Sequence, residues 1–202
     1  MTLLWFKWLF ANLGSAFVVN LSINALAPLI EKVVLHTVAR TLISDIFIFL
    51  YRSWNGGIIG ALIVGSVIGT AQWLVLRTKI PISNRFILAT SLGWFVAGFF
   101  QNFYFFDATG GFIIGLAQWL ILRRFFSQAG WWVLVNTLAW GLSAYLSIQA
   151  SLRLNPYAIS FDVLVNPGVL VFSGCMGIIA VFTGLLLVWL LIYKKREPEV
   201  RD

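Results

Sequence analysis

Charge is scarce in this sequence: only 10% of its 202 residues are Asp, Glu, Lys or Arg. A soluble globular domain carries about a quarter. With 60% hydrophobic residues beside so few charges, a water-soluble fold would expose large apolar patches and aggregate. Histidine and cysteine are scarcer still, one each, at His36 and Cys175. One cysteine excludes an intrachain disulfide. The pair excludes zinc sites of the usual His/Cys type and a bis-histidine haem within one chain. No metal and no cofactor is expected. The net charge of +7 would suit nucleic acid, but the basic residues lie in short connecting stretches. That is the loop asymmetry that orients a membrane protein, and no nucleic-acid partner is expected.

What the sequence has in abundance is long apolar stretches. Crossing roughly 30 Å of hydrocarbon takes about 20 helical residues. Helices are the natural spanning form, because backbone groups in lipid must be satisfied within the segment. A barrel would need alternating strands of about ten residues, and the sequence has none. The reading is therefore all-α: a polytopic transmembrane bundle of about six helices, one domain over 1–193 with a basic tail at 194–202. The spans fall near 5–28, 56–76, 86–106, 110–126, 131–152 and 168–193. Ala25-Leu26-Ala27 has the small-x-small pattern of a cleaved signal. Pro28 follows it directly, and the basic n-region is weak because Lys7 lies within apolar sequence, so the first span reads as retained.

Lys7, Arg77, Lys79, Arg85, Arg123, Arg124, Lys194, Lys195, Arg196 and Arg201 fall on one side when both termini are cytoplasmic. Trp73 precedes Arg77, Trp119 precedes Arg123, and Trp189 precedes Lys194, each by about one helical turn. These read as interfacial anchors, with Trp5 and Trp8 flanking Lys7 at the same level. Anchoring accounts for nearly all of the ten tryptophans.

The stretch 31–54 differs. Lys32, His36, Arg40 and Ser44 recur every four residues, and Val34, Val38, Leu42 and Ile46 do so on another face. The pattern predicts an amphipathic helix on the outer surface. His36, Arg40 and Asp45 form its ionisable cluster, a solvated face first and a site for headgroups or a partner second.

The sharpest local signal is an internal repeat. Gly65 to Arg77 reads GSVIGTAQWLVLR and Gly111 to Arg123 reads GFIIGLAQWLILR. The match continues without gaps, pairing 65–98 with 111–144 and Trp94 with Trp140. The repeated unit is a helical hairpin with a basic turn. A weaker echo links WLLIYKK at Trp189 to WLVLRTK at Trp73; on that register Val188 stands where the glutamine should be. Gly65, Gly69 and Gln72 share one helix face, as do Gly111, Gly115 and Gln118. Glycines four apart admit a neighbouring backbone, and a nearby amide bonds across the contact. Helix packing is the plain expectation; a pseudo-symmetric polar site at the two glutamines is the alternative.

Other amides fall inside the spans. Asn12, Asn20 and Asn24 form a stripe on the first helix, and Asn136 and Gln149 lie on the fifth. Exposure to lipid is costly, so they should point inward. They read as interhelical hydrogen bonds or, alternatively, as the lining of a pocket for a small solute. No ionisable residue falls mid-span, whereas proton-coupled carriers and pumps use such groups. No acid pair, metal set or activated serine supports hydrolysis, so no enzyme activity is expected.

The repeated GxxxGxAQWLxLR string, at Gly65 to Arg77 and Gly111 to Arg123, resembles one found in small multi-spanning membrane proteins of cyanobacterial type. That group has no assigned activity and supplies no site residues to carry over. The resemblance implies a bacterial inner or thylakoid membrane. Three roles follow as expectations. The first is a non-enzymatic accessory, assembly or structural subunit, in contact with lipid and with other membrane subunits or further copies of itself. The second is a small-solute transporter or its substrate-binding subunit. The third is a binder of pigment, quinone or another apolar ligand.

Overall fold

The computed structural model describes residues 2–38, 57–99, 106–153 and 167–194. Among them the chain is all-α, with six helices and no strand. These are α1 (Thr2–Val38), α2 (Gly57–Leu76), α3 (Arg85–Phe99), α4 (Phe106–Leu122), α5 (Gly130–Arg153) and α6 (Pro167–Lys194). Pro167 opens α6 at the one helical position where a missing N–H costs nothing. Within α6, Gly174–Tyr193 is long and apolar enough to cross a membrane; Leu3–Val19, Gly60–Leu76, Arg85–Gly98 and Ala108–Leu122 are shorter apolar stretches.

Two element boundaries differ from the sequence reading. Residues 31–38 are not the start of a separate amphipathic helix; they continue α1, which at 37 residues is roughly 55 Å long. Pro28 removes a single N–H donor, and each further residue still adds a bond once the helix exists. Residues 39–54, with Arg40 and Asp45, lie outside the described residues. The fourth helix covers Phe106–Leu122 rather than 110–126. Phe125 and Phe126 mimic an apolar helix end, but the N–H groups of Arg124 to Phe126 close a turn. Phe126 N–H donates to the Leu122 carbonyl at 3.1 Å, and Phe125 N–H to the same oxygen at 2.9 Å. The Phe126 side chain tucks under the turn, 4% exposed.

Each helix packs against its neighbours in the chain, and α6 closes against α1, giving a six-membered ring. Glycines make the α2–α3 and α4–α5 seams tight. A Cβ at Gly65 would stand 2.8 Å from Ser91 Cα, and one at Gly111 only 2.7 Å from the Asn136 carbonyl oxygen. Gly69 and Gly115 meet Thr90 and Asn136 one turn further on.

The interior is layered. One apolar cluster gathers Leu4, Trp8, Leu76, Ile80, Phe86, Leu122, Phe126, Trp132, Leu187 and Leu190 around the short turns. A second gathers Ala16, Val64, Ile68, Trp94, Ile114, Ala139, Trp140, Met176 and Ile179 further along the helices. Following any helix from one cluster to the other crosses a buried amide or threonine, Asn12, Gln72, Thr90, Gln118, Asn136 or Thr183, with Ser15 buried as well on α1 and Ser91 on α3. The clusters also fix the direction of the chain. The N-terminus, both turns and the end of α6 share one end of the ring.

Candidate functional site

The polar layer is a belt of hydrogen bonds that reaches all six helices. Gln118 on α4 is its hub. The Gln118 amide nitrogen donates to Gln72 Oε1 on α2 at 2.8 Å and to Thr90 Oγ1 on α3 at 3.1 Å. Its Oε1 accepts from Trp132 Nε1 on α5 at 2.9 Å. Gln72 Nε2 donates to Asn12 Oδ1 on α1 at 2.7 Å. Trp8 Nε1 on α1 then donates to Thr183 Oγ1 on α6 at 3.0 Å. The Trp8 and Trp132 rings meet edge to face across the ring, with centroids 5.7 Å apart.

Local geometry holds these groups in place. Asn12, Thr90, Asn136 and Thr183 each donate to a carbonyl one turn back: those of Trp8, Phe86, Trp132 and Ile179. Such back-bonding fixes the rotamer and aims the remaining oxygen inward. Among the described residues, one buried polar side-chain atom has no partner, Trp5 Nε1, which lies outside the belt.

The sequence offset between the two GxxxGxAQWLxLR strings is the 46 residues that separate the bonded pair Gln72 and Gln118. The same offset sets Phe86 on Trp132, Thr90 on Asn136 and Trp94 on Trp140, which touch edge to face at 5.2 Å. Helix α6 repeats the burial order of α2 with other residues. Met176, Ile179, Ala180, Thr183 and Leu187 are buried in the order of Gly65, Ile68, Gly69, Gln72 and Leu76. Thr183, rather than Val188, therefore stands in the glutamine position. The bonds agree: Trp8 donates to Thr183 as Trp132 donates to Gln118.

The residues singled out from sequence divide clearly. Gln72, Gln118, Asn12 and Asn136 come together in the belt, and Gly65, Gly69, Gly111 and Gly115 back it. Gln149 does not join them; it lies half-buried on α5, thirteen residues and roughly 20 Å beyond Asn136. The Asn20, Asn24 and His36 side chains lie outside the described residues. Trp8 is a correction. It is fully buried, not interfacial, and Trp132, Trp94 and Trp140 are buried with it. An indole N–H that finds an acceptor can be buried at little cost. Thr183, a polar residue within the last span, does point inward as its burial cost requires, whereas Trp132, Trp8 and Thr90 escaped the sequence reading as belt members. The one available signal was their position opposite amides at helical spacing.

At the turn end, Trp73 and Trp119 are half-buried and Trp189 is 40% exposed. Arg77 stacks over Trp73 at 4.6 Å, and Arg123 over Trp119 at 5.0 Å. Both turns share one bonding pattern: Arg77 N–H to the Trp73 carbonyl and Arg123 N–H to the Trp119 carbonyl, each 2.9 Å, then Ile80 to Leu76 and Phe126 to Leu122.

Chemically the belt is neutral. Its hydroxyls donate to backbone carbonyls and face no base. Among the described residues, no three His, Cys, Asp or Glu gather as a metal set would require. Comparison with protein-family models, with characterised proteins and with solved structures finds no match to this chain.

Proposed function

We propose that the chain is an integral membrane protein whose six helices cross the bilayer as a closed ring, acting without chemistry as an accessory, assembly or structural subunit. The observation that carries this reading is the belt. Amides that would line a solute path are bonded to each other and to Trp132, Thr90 and backbone carbonyls, between two apolar clusters. A transporter would keep such groups available for its cargo.

The outer surface supports the membrane setting. Large apolar side chains stand exposed on every helix, among them Phe10, Ile63, Leu88, Phe112, Leu138 and Leu185. Water would drive such a surface to aggregate, and hydrocarbon covers it without cost. The basic end faces the cytoplasm, with both termini there. The resemblance of the repeated string favours a bacterial inner or thylakoid membrane. The match of α2, α4 and α6 points to an ancestry in three copies of one hairpin.

Mild-detergent purification of the full chain tests the role. Another membrane polypeptide should copurify in fixed ratio. A colourless, monodisperse chain with no companion would count against it, and an absorbing pigment would favour the ligand-binding alternative.

A further inference from the structure

We propose that the two hairpin turns are a matched pair of binding sites for the headgroup phosphate of anionic phospholipids. The inference rests on the membrane setting proposed above. Each site is a tryptophan–arginine pair, Trp73 with Arg77 and Trp119 with Arg123.

Stacking engages the face of a guanidinium and leaves its in-plane N–H groups free. Those N–H groups form the planar fork that grips a phosphate through two parallel bonds. Both arginines are exposed, and each is fixed in direction by the indole beneath it. The Trp73 ring is itself held, its Nε1 donating to the Ile82 carbonyl at 3.1 Å. The turns are not loose: four equivalent backbone bonds and the buried Ile80 and Phe126 lock them.

Charge supports one kind of occupant. The chain has no acidic residue from 46 to 106 or from 108 to 161, so neither turn carries a carboxylate of its own. Lys79 and Arg124 stand exposed within the same turns and add to the field. Immediately below each arginine the outward face is apolar. Leu74 is 49% exposed below Arg77, and Leu120 is 47% exposed below Arg123, followed by Leu116 and Phe112 on the same helix. A free phosphate would use only the arginine. A phospholipid would use both the cation and the apolar strip, which is the combination present.

The test uses the full chain in mild detergent. Its thermal unfolding is followed while phosphatidylglycerol, phosphatidylcholine or inorganic phosphate is added. Phosphatidylglycerol should bind about tenfold more tightly than phosphatidylcholine, and inorganic phosphate should leave the unfolding temperature unchanged. Arg77→Gln with Arg123→Gln should abolish the preference while leaving the lipid-free unfolding temperature in place. Arg77→Lys with Arg123→Lys should restore only part of it, because an ammonium lacks the fork. Lys7→Gln with Arg85→Gln removes as much exposed charge from the same end and should keep the preference. Loss of preference in that control, a shift with inorganic phosphate, or no preference in the native chain would each overturn the proposal. Alkaline carbonate extraction of native membranes is read alongside. Release of the chain would overturn the membrane setting itself, whereas retention without lipid preference overturns only the headgroup sites.

Discussion

The seam between α4 and α5 and the seam between α6 and α1 solve one packing problem in two ways. Each has an indole N–H bonding to a polar side chain on the preceding helix: Trp132 to Gln118, and Trp8 to Thr183. At the first seam, Gly111 and Gly115 let backbones approach until a methyl group would collide with Trp140 Cβ at 2.6 Å and the Asn136 oxygen. At the second, Met176 and Ala180 occupy the matching places. There Gly177 would meet only the tip of Leu13 at 3.2 Å. Tight backbone contact at one seam and side-chain filling at the other produce equivalent bonds. The polar belt, rather than the glycine contact, is thus what all six helices share.

Three sets of substitutions would break or sharpen that comparison. Gln118→Leu should have the largest effect, since it leaves the Trp132 indole N–H without its acceptor and removes the donor from Gln72 Oε1 and Thr90 Oγ1. The expected loss is about 3 kcal/mol, as for a buried polar group left unsatisfied. Reversible unfolding in mixed micelles would measure it. The double change with Gln72→Leu should cost well under the sum of the single changes, because removing both partners leaves fewer orphans. Additive costs would show that the two amides act separately.

Next comes the glycine pair. Gly111→Ala should destabilise by about 2 kcal/mol through overpacking against backbone. Gly177→Ala should be near neutral, because a helix-propensity gain of about 1 kcal/mol offsets a small shift of the flexible Leu13. Equal effects in the same unfolding assay would erase the distinction between the seams. The smallest change is Thr183→Val, which removes the acceptor for Trp8 together with the bond to the Ile179 carbonyl and should cost about 1 kcal/mol. The Trp8 environment should also change in near-ultraviolet circular dichroism; an unaltered spectrum would mean the bond is not made.

Much of the fold was legible because helical periodicity and apolar length are local properties. The repeated string marked out Gly65, Gly69, Gln72 and their counterparts as a shared face. The first part of the 31–54 stretch, residues 31–38, misled for a reason equally local. A charged face resembles a new element, but polarity alone does not end a helix, and α1 runs on to Val38. Tryptophan misled in another way. The interfacial rule fits Trp189, half in solvent, yet Trp8 needs only one acceptor to be buried, and that acceptor lies 175 residues away. The match of Thr183 to the repeated glutamine was hidden by the more conspicuous match of Trp189 to Trp73, which shifts the register away from the one burial selects.

The sequence by itself determined that this chain is helical, that its outer surface is apolar and that two hairpins share one pattern. These are matters of composition and spacing. Only the tertiary structure decided what the amides do. Whether a buried glutamine waits for a ligand or bonds to a neighbour depends on which donors the other helices bring within about 3 Å. The packing of α1 settles that: against α6 it sets Trp8 on Thr183, and against α2 it sets Asn12 on Gln72.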